Sequence, residues 1–155
     1  MRTISRHWSF CFVVAFSLLL VVGGRFTYAQ GRVNDKDMEN LMKNLRDDAK
    51  SFRGTFDSAI KKSTIRKTSR EKDAKNLIAQ FEKQTDAMLK NFKRTKKGDT
   101  DIRVVMDSAA QIDSLLRSVV LGGQTSSKWA KIQTEIHQVS SGFGIDSQYN
   151  PAGGL

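Results

Sequence analysis

Between Met38 and Phe143 the apolar residues recur at alternating spacings of three and four, in four separate blocks. That spacing lines side chains along one stripe of an α-helix, whereas a half-buried strand requires strict alternation. No proline interrupts helix over this stretch, because the single one, Pro151, lies beyond it. The first block reads Met38, Leu41, Leu45, Ala49, Phe52, Phe56, Ala59, and Asn34 or Asp35 is placed to cap its start. The second reads Ala74, Ile78, Phe81, Thr85, Met88, Phe92. It opens on Thr68-Ser69-Arg70-Glu71, a capping-box pattern in which Thr68 and Glu71 each satisfy a free amide. The third reads Ile102, Val105, Ala109, Ile112, Leu116, Val119, with Asp99 or Thr100 as cap and Gly122-Gly123 as stop. The fourth reads Trp129, Ile132, Ile136, Val139, Phe143, with Ser126 or Ser127 as cap and Gly142 and Gly144 as its end.

Each block has one face to bury and nothing but the other blocks to bury it against. Connections of roughly six to eight residues predict antiparallel neighbours. The expected fold is all-α, an antiparallel up-down four-helix bundle over 30–143, with 144–155 as a flexible tail. Phe52, Phe56, Phe81, Phe92 and Trp129 are expected to supply the bulk of its core, and the first two helices to exceed the last two in length. A long two-helix hairpin that dimerises is the alternative architecture.

The segment before the bundle has a different character. Arg2 and Arg6 precede an apolar run from Trp8 to Val22, Gly23-Gly24 ends the run, and Thr27-Tyr28-Ala29 offers small side chains at both positions that a signal peptidase reads. Residues 1–29 are therefore expected to be a signal peptide, cleaved after Ala29, placing the remainder in the periplasm or the medium. An uncleaved anchor is the alternative, but a spanning helix needs about 20 apolar residues and this run is shorter. Cys11, the only cysteine, sits inside the run and leaves with it, so the mature chain has neither disulfide nor thiolate. The whole chain carries 26 basic and 16 acidic residues. Without Arg2, Arg6 and Arg25 the balance is 23 to 16, a net of +7 that favours anionic partners and solubility.

Reacting groups are sparse. His137 is the only mature histidine. Asp47 and Asp48 are adjacent in a helix, about 100° apart, and share no site. Asp99, Asp101, Asp107 and Asp113 are expected on the solvated side of the third helix. Gly122-Gly123 lacks the Lys-Ser/Thr of a phosphate loop, and zinc and calcium patterns are missing. No catalytic residue and no metal ligand is assigned. Two basic clusters stand out. Lys61, Lys62, Arg66, Lys67, Arg70 and Lys72 surround the first connection; Lys90, Lys93, Arg94, Lys96 and Lys97 close the second helix. Either can complement a helix end or dock on lipid phosphates, glycans or nucleic acid, and Lys93, Arg94, Lys96 and Lys97 are the candidate anion-binding set. No aromatic residues are interleaved to stack bases.

Met38-Glu39-Asn40-Leu41 followed by Leu45, with His137 late in the fourth block, resembles the small periplasmic b-type cytochromes. That resemblance implies haem held between Met38 and His137 and an electron-carrier role; covalent haem is excluded by the lack of Cys-x-x-Cys-His. Over most of its mature length the chain is also similar to uncharacterised bacterial exported four-helix-bundle proteins, through its capped helices, Ile112-Asp113 and the opening Trp129. This second resemblance implies export and the bundle, and no activity. The resulting expectation is a cofactor-free, non-enzymatic interaction or structural protein of the cell envelope, its partner an envelope or extracellular protein. Haem carriage and binding to an anionic surface are the alternatives.

Overall fold

A computed structural model describes residues 33–145. The expected signal peptide, and the expected tail from residue 146 onward, lie outside the described residues. Four helices run in order: α1 (Asp35–Ile60), α2 (Ser69–Thr95), α3 (Asp99–Ser118) and α4 (Gly123–Gly142). No strand occurs among the described residues. At 26 and 27 residues the first two exceed the last two, at 20 each.

Local chemistry explains two of the four starts. Asn34 is extended and its Oδ1 accepts the Asp37 amide at 2.9 Å, the expected N-cap. Thr68 Oγ1 accepts the Glu71 amide at 3.4 Å. Glu71 reaches back one residue further than a capping box requires, to the amide of Lys67 at 2.6 Å, with Lys67 in the left-handed region at φ 62°.

The other two starts differ from expectation. Helix α3 begins from Gly98 with no side-chain cap, and Asp99 and Thr100 lie inside it. A Cβ on Gly98 would sit 2.8 Å from Phe143 Cζ and 3.0 Å from Met42 Cε, so packing against two other helices selects glycine at this turn. Gly122 and Gly123 start α4 instead of stopping α3, which has already ended at Ser118; Ser126 and Ser127 are exposed within α4. The second and third connections, 96–98 and 119–122, are accordingly shorter than expected, and only 61–68 has the anticipated length.

All four helices contribute to one apolar core. On α1 the buried stripe is Met38, Met42, Leu45, Ala49, Phe52, Phe56, Ile60. Leu41 and Ala59, assigned to the stripe from spacing, are half-buried flanks, one position off at each end. Trp129 packs on Phe52 and Phe81 with ring centroids 5.2 and 5.5 Å away, and Phe52 and Phe56 are 5.9 Å apart. Each fully buried phenylalanine contributes roughly 1.5–3 kcal/mol of transfer free energy.

Polar contacts then link neighbouring helices. Arg53 pairs with Glu82 at 2.7 Å between α1 and α2, and Asn91 donates to Asp101 at 3.2 Å between α2 and α3. The thinnest seam, α3 with α4, is pinned by Asp113, which accepts the Trp129 indole N–H at 2.5 Å and the Gln133 amide at 2.8 Å. Asp113 is thus an anchor for the core tryptophan, not a solvated surface acid.

Candidate functional site

The helix ends gather into two groups. Glu39 near the start of α1 meets Lys93 near the end of α2, while Gly98 and Met38 meet Phe143 and Gly142 at the end of α4. At the other end, Arg70 at the start of α2 donates to Ser118 at the end of α3 (3.3 Å), and Lys62 shares a groove with residues 120–125.

The candidate set Lys93, Arg94, Lys96 and Lys97 lies at the first end, all four exposed. Helix α1 supplies their counter-charge. Glu39 Oε1 is 3.2 Å from Lys93 Nζ, and Glu39 Oε2 is 3.8 Å from Lys96 Nζ. Lys96 also lies 5.3 Å above the Phe92 ring, and Arg94 donates to Asn91 Oδ1 at 3.3 Å. Two of the four cations are therefore held by one carboxylate.

Met38 belongs to the same end. It is 2% exposed, and its methyl lies so close to Gly142 that a Cβ there would overlap it. His137 is exposed on α4. It lies five residues before Gly142, about 140° around the helix, so imidazole and thioether do not face each other.

At the opposite end Lys61, Lys62, Arg66, Lys67, Arg70 and Lys72 are exposed, and among the described residues none of them forms an ion pair. The nearest acid, Glu71, is engaged by Lys75 Nζ at 2.5 Å and by the Lys67 amide, and these contacts hold its carboxyl below the usual range. Helices α2 and α4 begin here while α1 and α3 finish here, so the helix dipoles largely cancel and the positive potential comes from the side chains. A groove of about 630 Å³ runs between α1 and the 119–122 connection, lined among others by Ser51, Ser58, Lys62, Val120 and Gly122. Val120 stands 96% exposed beside it. The groove between α1 and α2, by contrast, mixes Arg46, Lys50, Arg53 and Lys83 with Asp47, Glu82 and Asp86, and is largely self-neutralised.

Between the two ends lies a carboxyl pair that spacing did not reveal. Asp47 points outward to Arg46 and Lys43, while Asp48 points toward α4, where Lys131 Nζ is 2.5 Å from its Oδ2 and 3.8 Å from Glu135 Oε1. Glu135 is 8% exposed. Burial, reinforced by the Asp48 carboxyl, pushes the Glu135 carboxyl up to about 8. Burial alone would also raise Asp48, but hydrogen bonding with Glu135 and Lys131 outweighs it and holds Asp48 below the usual range. Asp48 Oδ2 and Glu135 Oε2 are both shielded from solvent, where a proton held on Glu135 and donated to Asp48 would relieve the repulsion of two buried carboxylates. The available signal was that Glu135 falls three residues after Ile132 and four before Val139, inside the buried stripe.

No group of three or more metal-ligating side chains occurs among the described residues, and none of the described helices is long and apolar enough to cross a membrane. No protein-family model, curated protein or solved structure matches the chain.

Proposed function

We propose that this is a non-enzymatic binding protein acting outside the cytoplasm, in which an antiparallel up-down four-helix bundle serves as a rigid frame for a basic recognition surface. The antiparallel arrangement is supported by facing pairs whose numbers rise on one helix as they fall on the next: Glu39 with Lys93 but Arg53 with Glu82, and Arg70 with Ser118 but Asn91 with Asp101. Export is supported by the basic, apolar and small-residue order of residues 1–29.

The observation that carries the reading is the cluster around 61–72, six cations whose side chains form no ion pair within 4 Å among the described residues. Such a cluster attracts anions over about a Debye length, some 8–10 Å at physiological salt, and needs no reacting group to act. Two measurements test it. N-terminal sequencing of the protein from its own cells should find Gln30 first, in the exported fraction; a cytoplasmic chain beginning at Met1 overturns export. Retention on an anionic matrix should fall steeply with salt, and salt-independent retention would remove the basic surface from the account. Added haem is expected to give no Soret band, because Met38 is packed against Gly142 and His137 points elsewhere.

A further inference from the structure

Resting on that reading, we propose that the basic end docks end-on to the surface of an anionic lipid bilayer, with Val120 as an apolar tip among the headgroups and Lys61, Lys62, Arg66, Lys67 and Arg70 contacting lipid phosphates. Two independent features coincide here. One is a concentration of exposed cations that form no ion pair among the described residues, which alone suits any polyanion. The other is Val120, the most exposed large hydrophobic side chain among the described residues; the only other one that stands out, Val104 on α3, is far less exposed. Solvated glycans and nucleic acids give a lone valine nothing to contact, whereas a lipid interface gives it an apolar layer just beneath the phosphates.

The tip is also held in place. Val119 before it is buried, Leu121 after it is half-buried against the core, and the whole connection is 119–122. Val120 therefore projects from a short, doubly anchored turn. Lys62 lines the same groove, and Arg70 is tied to Ser118 two residues before the tip, so charge and apolar tip occupy one surface. The other end lacks this combination, since Glu39 holds Lys93 and Lys96.

The test is co-sedimentation of the protein, in the form its own cells accumulate, with vesicles of phosphatidylcholine alone and of phosphatidylcholine mixed with phosphatidylglycerol. Partitioning should favour the anionic vesicles and weaken with salt. Each cation near an anionic surface raises partitioning roughly fivefold, so Lys61→Glu, Lys62→Glu and Arg66→Glu combined should lower it at least about 100-fold. Val120→Thr, which leaves charge and core untouched, should lower it several-fold. Reversal of Lys93, Arg94, Lys96 and Lys97 to Glu should lower it far less than the first triple. Equal partitioning to both vesicles overturns the proposal. So does a Val120→Thr protein that binds as well as the parent, because charge alone would then be read. Heparin and duplex DNA columns separate the two levels: retention there without vesicle binding sinks the lipid docking and leaves the basic-surface reading standing, whereas loss of all anion binding sinks both.

Discussion

The two ends of the molecule start from similar sequence and finish with opposite properties. Both carry a run of lysine and arginine at a helix terminus. At the Met38 end, a carboxylate from the neighbouring helix reaches two of the cations, Met42 and Phe143 leave no room for a Cβ on Gly98, and Met38 leaves none on Gly142. At the Val120 end, no carboxylate among the described residues forms an ion pair with the six cations, and Gly54, Gly122 and Gly123 have nothing within 4 Å of where a Cβ would stand. The closed end is tightly packed and charge-paired, and the open end is neither. The contrast shows that a basic cluster cannot be judged from its own residues, because its effective charge depends on which acids other helices bring within about 4 Å.

The largest expected effect is a difference in truncation between the ends. Phe92→Ala should cost about 4 kcal/mol, with a cavity opened beside Phe143, whereas Val120→Ala should change stability by less than about 0.5 kcal/mol. Urea unfolding of both variants checks this, and comparable losses would erase the closed/open distinction.

A change midway along the α1–α4 seam belongs to neither end. Glu135 holds its proton more tightly folded than unfolded, so the stability that it contributes is complete below its ordinary value of 4.5 and is lost as pH climbs through about 8. Between pH 5 and 9 the protein should lose about 3 kcal/mol, read as a falling Tm, and Glu135→Gln should flatten most of that slope. A Tm that rises across this window would place the proton elsewhere.

Glycine replacement sharpens the contrast at finer scale. Gly98→Ala should cost about 2 kcal/mol by forcing the Phe143 ring and Met42 aside, while Gly123→Ala, in open space within a helix, should be neutral or stabilise by about 0.5 kcal/mol. Thermal melts of the two variants should therefore shift in opposite directions, or only the first should shift. The smallest effect concerns charge. Glu39→Gln should lower stability by less than about 1 kcal/mol, since the ion pairs are exposed, yet increase retention on an anionic matrix by releasing Lys93 and Lys96. Unchanged retention would mean that Glu39 does not mask the cluster.

Much of the fold was legible before any coordinates. The α2 stripe from Ala74 to Phe92 is buried as read, the five large aromatics are in the core, and Asn34 and Thr68 cap α1 and α2. These are local matters: a 3.6-residue period and a hydrogen bond three residues away are written in contiguous sequence. On α1, Leu41 and Met42, or Ala59 and Ile60, are adjacent apolar pairs, and periodicity cannot choose the inward member without knowing where the neighbouring helix lies.

What only the tertiary structure decided is everything that depends on residues far apart in the chain. It made Gly98 and Gly122 helix starts, because packing against Met42 and Phe143, or the shortness of 119–122, overrode the nearby polar caps. It turned Asp113 toward Trp129, joined Asp48 to Glu135, and gave Lys93 and Lys96 a shared acid from another helix, while among the described residues the cations between 61 and 72 form no ion pair. The sequence alone determined four amphipathic helices, through a repeat that each carries internally. Burial and charge pairing act through space between helices, so the difference between a closed end and an open one arises only when the four are packed together.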